Sequence, residues 1–152
     1  MIQRKQTIFL LIAFIINILL FFIPFCEFSI DKTEIYKITA FGIIATSDNT
    51  IITNTYPLLV LLIIIVSINF ITIFLFKKRV LQIRLNVLNI ILNIGLIGLF
   101  FYFMHKATAD TQAIISYKIS MIIPLISIIL YFLAIKFIRS DENLLRSLDR
   151  IR

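Results

Sequence analysis

The stretch PLLVLLIIIVSINFITIFLF, Pro57 to Phe76, carries no charge, and only Ser67, Asn69 and Thr72 interrupt its hydrocarbon. A helix needs about 20 such residues to cross a ~30 Å hydrocarbon layer, so the run reads as one membrane span. Three more runs of similar length and character flank it: Thr7–Phe25, Val87–Met104 and Ile119–Ile138, none with an acidic residue. Together they predict an all-α integral membrane protein, a four-transmembrane-helix bundle forming a single membrane domain over 1–152. An outer loop over 26–56 and a cytoplasmic tail over 139–152 complete it.

Composition agrees. The 152 residues are 61% hydrophobic with a mean hydropathy of +1.05, against roughly 45–50% apolar residues in an average soluble domain. A water-soluble class is excluded on that ground.

Basic residues resist translocation, so their distribution orients the chain. Arg4, Lys5, Lys77, Lys78, Arg79, Arg84, Lys136, Arg139, Arg146, Arg150 and Arg152 fall on one side, and only Lys32, Lys37, Lys106 and Lys118 on the other. Both termini are expected in the cytoplasm, with Cys26–Tyr56 and His105–Lys118 facing outward. The net charge of +7 sits where this rule puts it and accompanies no nucleic-acid motif. Its expected partners are anionic lipid head groups, not nucleic acid.

The first run follows a basic start, as a signal peptide would, but it is longer than a usual signal core and lacks a small-residue cleavage site. It is expected to stay in the mature protein. Cys26, the lone cysteine, allows neither an internal disulfide nor a cysteine-based zinc site, and is expected to be a buried or interfacial thiol.

In the first outer segment, β-branched and aromatic residues over Glu34–Thr46 and Ile51–Thr55 flank a turn signal at Ser47-Asp48-Asn49. That pattern predicts a small β-rich hairpin or meander leaning on the helix ends through Ile35, Phe41 and Ile43. Pro57 suits the first turn of the second span, Pro124 is expected to kink the fourth, and Lys77–Asn86 should be a basic connection between antiparallel spans. Lys118 and Lys136 mark the ends of the fourth span, with Tyr117 and Tyr131 as interfacial companions. Beyond Arg139, Ser140-Asp141-Glu142 reads as the start of a separate amphipathic cytoplasmic helix, with Leu144, Leu145, Leu148 and Ile151 on one face and a Glu142–Arg146 pair on the other.

The most suggestive polar pattern is Asn86, Asn89 and Asn93, at spacings of three and four, followed by Gly95 and Gly98. A carboxamide has no water partner in lipid, so this interhelical stripe should face protein, with Asn17, Ser67, Asn69 and Thr72 as candidate partners. It serves either as interhelical packing or as a polar pathway or small-ligand site. The spans hold no Asp or Glu, which disfavours proton coupling. His105 has no second histidine or thiolate for a metal or a catalytic pair, and three glycines make no phosphate-binding loop. No catalytic residue, metal site or cofactor is expected.

The two ends of the chain, Met1-Ile2-Gln3-Arg4-Lys5-Gln6-Thr7 and Ile138-Arg139-Ser140-Asp141-Glu142-Asn143-Leu144-Leu145-Arg146-Ser147-Leu148-Asp149-Arg150-Ile151-Arg152, resemble the family catalogued as domain of unknown function 4293. The resemblance covers the whole chain. It implies a four-span bacterial inner-membrane protein and no activity. It directs attention to Arg4, Lys5, Asp141, Glu142, Arg146, Asp149, Arg150 and Arg152, either a solvated topology-setting surface or a candidate docking surface for another membrane or cytoplasmic protein. The function expected is that of a non-enzymatic accessory, scaffold or assembly subunit. The alternative is a small transporter or channel with a polar route along the third span.

Overall fold

A computed structural model of the chain describes residues 3–29, 35–48, 50–75, 78–108 and 114–149, with side chains for 6–29, 35–48, 50–75, 78–107, 116 and 118–142. In order, the elements are α1 (Gln3–Leu19), β1 (Cys26–Ser29), β2 (Ile35–Ile38), β3 (Gly42–Ala45), β4 (Ile51–Asn54), α2 (Tyr56–Phe74), α3 (Arg79–Thr108), β5 (Ile114–Tyr117), a 3-10 turn (Ile119–Ile122) and α4 (Ile123–Asp149). Three helical stretches, Tyr56–Phe74, Arg79–Ala107 and Ile119–Glu142, are long and apolar enough to cross a membrane, and Gln6–Leu19 is a shorter apolar helix. The first run is shorter than its hydrophobicity predicts because tighter turn bonds take over after Leu19, such as Leu20 N–H to the Asn17 carbonyl at 3.3 Å. Pro24, which has no N–H and restricts the residue before it, follows at once.

The helices pack in the cyclic order α1, α2, α3, α4 and back to α1, each antiparallel to its neighbours. What organises them is a strict alternation of four- and three-residue steps between buried positions. On α1 these are Gln6, Leu10, Ala13 and Asn17, and on α2 Leu58, Leu62, Ile65, Asn69 and Thr72. On α3 they are Gln82, Asn86, Asn89, Asn93, Leu96, Phe100 and Phe103, and on α4 Ser127, Tyr131, Ala134, Ile138 and Asp141. A mean step of 3.5 is the seam of a left-handed antiparallel bundle. Outside it, Ile63, Ile91, Ile94, Ile129 and Phe132 are exposed, so the outer surface is as apolar as the interior and the seam is where polarity collects.

One end of the bundle is closed by a five-stranded antiparallel sheet of order β4-β3-β2-β1-β5. Its end-strand β5 comes from the segment between α3 and α4, and it pairs with β1 from Cys26 opposite Tyr117 to Ser29 opposite Ile114. The alternation of a strand turns Cys26, Phe28, Ile38 and Ile43 onto the bundle, where they join Phe25, Leu58, Leu96 and Phe100 in one core. Thr55 fastens α2 to the sheet by donating its hydroxyl towards the carbonyls of Thr39 and Ala40 at 3.0 and 3.1 Å. Ser120 donates to the Pro24 carbonyl, tying the 3-10 turn to the exit of the first helix. At Gly42 an added Cβ would lie 2.8 Å from the Ile51 side chain and 2.9 Å from the Thr53 carbonyl oxygen, so β3 and β4 approach this closely only around a glycine.

Several expectations need correcting. Ile43 is buried, but Ile35 and Phe41 are about half exposed, Ile35 because alternation in β2 sends it outward and Phe41 because it sits in the turn before β3. His105–Lys118 does not merely connect spans, since it supplies β5. α3 begins at Arg79, so Arg79–Asn86 is helical and not part of a connection. Pro124 lies in the first turn of α4, directly after the 3-10 turn, where its missing N–H is harmless, and not in a helix interior. Ser140 starts no separate helix, since α4 runs unbroken to Asp149. Tyr131 is fully buried instead of interfacial, and Lys118 pairs with Glu27 at 3.1 Å. Leu144, Leu145, Leu148 and the Glu142–Arg146 pair lie beyond the described side chains, and Ile151 outside the described residues.

Candidate functional site

The half of the bundle away from the sheet, here called the far half, concentrates the buried polar side chains. Gln6, Asn69, Gln82, Asn86, Asn89 and Asn93 are each at most 1% exposed. Hydrogen bonds fix their relative heights. Gln82 donates to the Thr72 carbonyl at 3.2 Å and Asn69 to the Leu10 carbonyl at 3.4 Å. Counting seam steps from these anchors gives successive levels: Gln6, Thr72 and Gln82; Leu10, Asn69 and Asn86; Ala13, Ile65 and Asn89; Asn17, Leu62 and Asn93. The next level, Leu20, Leu58 and Leu96, is hydrocarbon on α1, α2 and α3. From Gln82 to Asn93 the polar run rises about 16 Å at 1.5 Å per residue, roughly half the ~30 Å hydrocarbon thickness.

Two polar groupings share this interior and differ in one respect. Towards the sheet, Ser127 donates to Asn17 Oδ1 and Asn17 Nδ2 donates to the Tyr131 hydroxyl, both at 3.1 Å, joining α1 to α4. At the same level but on α3, Asn93 donates to the Asn89 carbonyl one turn back, at 2.9 Å. Nine nitrogen and oxygen atoms of the six carboxamides have no protein partner: both from Gln6, Asn86 and Asn89, and one oxygen each from Asn69, Gln82 and Asn93. An unsatisfied buried polar group costs about 1–3 kcal/mol. Nine of them rival the 5–15 kcal/mol that typically separates folded from unfolded protein. Carboxamides that orient towards an uncharged hydrogen-bonding molecule avoid that cost. They can bind and orient such a molecule, but they neither take up protons nor attack as nucleophiles.

The predicted stripe of Asn86, Asn89 and Asn93 is thus brought into the bundle together with Asn69, and with Gln6 and Gln82, which reading the spans alone missed because both precede the apolar runs. The 4-3 spacing, extended backwards from Asn86 to Gln82, is the signal that finds Gln82. Asn17 bonds to α4 and not to the stripe. Ser67 is exposed, and Gly95 and Gly98 lie off the seam, where a Cβ would meet at most Leu61 at 3.9 Å. Neither glycine is there for close helix approach.

At the far end, a cavity of about 430 Å³ is lined by Lys78, Arg79, Val80, Leu81, Arg84 and Glu142, and Arg79 Nη1 is buried beside it without a partner. Of the predicted docking surface, Asp141 is only 7% exposed, a seam position and not an outward one, and Glu142 is half-buried. The side chains of Arg4, Lys5, Arg146 and Asp149 lie beyond those described, and Arg150 and Arg152 outside the described residues altogether. At the sheet end, an apolar cavity of about 330 Å³ lies among Phe25, Leu96, Phe100, Lys118, Ile122 and Leu125. Cys26 is fully buried in the sheet, and burial, followed by the neighbouring Glu27 charge, pushes its pKa up to about 11. Among the described residues no group of three His, Cys, Asp or Glu side chains is placed to hold a metal.

The model of a domain of unknown function (DUF4293) matches residues 2–151. The chain belongs to this family. No curated protein and no solved structure matches it. The DUF4293 match spans the helices, the sheet and the carboxamide interior alike, so all three lie within the family's domain.

Proposed function

We propose that this DUF4293 protein spans the bacterial inner membrane four times with both termini in the cytoplasm, and serves as a non-enzymatic accessory or assembly subunit whose sheet docks a partner protein on the outer side. The apolar helix surfaces and the one-sided basic residues support the placement. Although α1 is short, its helix and turn bonds together carry the chain as far as Ile23.

One observation carries the docking reading. All four residues of β4, Ile51-Ile52-Thr53-Asn54, are exposed, and as an end strand it is paired on one edge only. A strand with both faces uncovered, an open edge and two isoleucines is a template for a further strand, so the occupant proposed is an extended partner segment added beside β4. The conduit reading draws on the carboxamide run, but the Leu20, Leu58 and Leu96 level and the Phe100 and Phe103 positions beyond it oppose a continuous polar route.

The test is a photo-crosslinker at Ile52 in native membranes, followed by purification in mild detergent and peptide mapping. The reading expects one partner, joined through an extended segment and lost in Ile51→Lys/Ile52→Lys while the protein level holds. Crosslinks to lipid alone, or partner recovery unaffected by the lysines, would refute it.

A further inference from the structure

The nine orphaned carboxamide atoms form a single cluster spread over α1, α2 and α3, and their chemistry specifies an occupant. Three are nitrogens, on Gln6, Asn86 and Asn89, and six are oxygens, so whatever meets them must both donate and accept and must donate more than it accepts. An anion fails on the oxygens and a metal cation on the nitrogens. None of the six side chains carries a charge that would draw either ion in, and the acidic group on the same seam, Asp141, falls by the same count at the Gln6 level, at the mouth and not along the run. Ala13 and Ala134 pack with Leu10 and Tyr131 in the hydrocarbon between α1 and α4, so the polar side of the interior is the one bounded by α2 and α3.

We propose that the far half of the bundle is a hydrated, dead-end vestibule. Water enters past Gln6 and Gln82, runs along Asn69, Asn86 and Asn89 to Asn93, and is stopped by the Leu20, Leu58 and Leu96 level. At about three hydrogen bonds per buried water, nine orphaned atoms hold on the order of three waters. These waters replace interhelical side-chain bonds, bridging α1, α2 and α3 where no direct bond joins the carboxamides. The proposal stands apart from the docking reading, since the vestibule lies at the opposite end of the bundle from β4.

Water-edited solid-state NMR on the full-length protein in bilayers tests it. The side-chain amide signals of Asn86 and Asn89, identified by their disappearance in Asn86→Leu and Asn89→Leu, are expected to receive water magnetisation several-fold faster than the methyls of Leu58, Leu62 and Leu96. Should either variant fail to fold, selective labelling assigns the same signals in the unmodified chain. Build-up at the rate of the leucine methyls would overturn the vestibule and mean that the carboxamides pair with one another in a dry interior. Osmotic water permeability of proteoliposomes should match that of empty vesicles; a marked excess would overturn the closed end and favour a conduit.

Discussion

The two halves of the bundle seam share one spacing and near-complete burial, yet contain opposite chemistries. Towards the sheet, the positions hold Leu20, Leu58, Leu96 and Phe100, and where the halves meet Asn17, Ser127 and Tyr131 satisfy one another. In the far half the same positions hold six carboxamides that bond only to backbone or to nothing in the protein. Periodicity therefore decides what is buried, and side-chain chemistry decides whether the buried space is dry. In a chain whose outer surface is also apolar, the hydrophobic effect does not distinguish inside from outside, so close packing and polar pairing must hold the helices together.

The sharpest way to break this comparison is at the dry end. Leu58→Ala, at a fully buried core position, should cost about 2–5 kcal/mol by leaving a cavity, read as thermal unfolding in detergent. A loss under 1 kcal/mol would show that the sheet-side half is loose or wet. Next, Asn17→Leu strands the Ser127 and Tyr131 hydroxyls and should cost about 2 kcal/mol, whereas Asn86→Leu removes no protein bond and should change stability by less than about 1 kcal/mol. If the two substitutions cost the same, the distinction between satisfied and orphaned groups fails.

The sheet offers a chemical probe of the same boundary. With its pKa raised to about 11, Cys26 holds roughly a hundredfold less thiolate at pH 8 than a thiol at 9.0. Maleimide labelling of the folded protein should be slower by at least that factor, and rapid labelling would mean that water reaches under the sheet. The sign for stability follows from native protein holding the proton longer than unfolded chain. The contribution is complete below pH 9 and is lost as pH rises through 11, so the folded protein weakens in strong base and Cys26→Ser should flatten that decline. The smallest effect belongs to the Glu27–Lys118 pair, partly exposed at 3.1 Å. Lys118→Ala should cost at most about 1 kcal/mol, and the cost should shrink with added salt in the same unfolding assay.

How much of this was legible depended on whether a feature is local. The four apolar runs are properties of consecutive residues, and so is the strand character of Glu34–Thr46. Asn86, Asn89 and Asn93 were recognisable as a stripe because helical spacing puts them on one side. By contrast, β1 is a four-residue strand next to an apolar run, and β5 follows a long helix. β5 is paired only with β1, and β1 lies between β2 and β5, so β5 exists through a partner across a separation that no local pattern records. Gln6 and Gln82 looked like polar flanking sequence until the extended α1 and α3 carried them into the seam. Asp141 looked like an acidic first-turn residue behind a Ser140 cap for the same reason: α4 does not stop where hydropathy falls.

The sequence by itself determined that this is an apolar helical protein of the DUF4293 family, with basic residues gathered to one side and a stripe of asparagines that lipid would not solvate. Those are consequences of transfer free energy and helical spacing, which act residue by residue. Tertiary structure alone decided that two distant outer segments make one sheet and that Asn17 pairs across to α4. It also decided that the carboxamide run ends against Leu20, Leu58 and Leu96. Strand pairing, hydrogen-bond satisfaction and closure of an interior are relations between elements, and they take definite form only when the helices stand side by side at set heights.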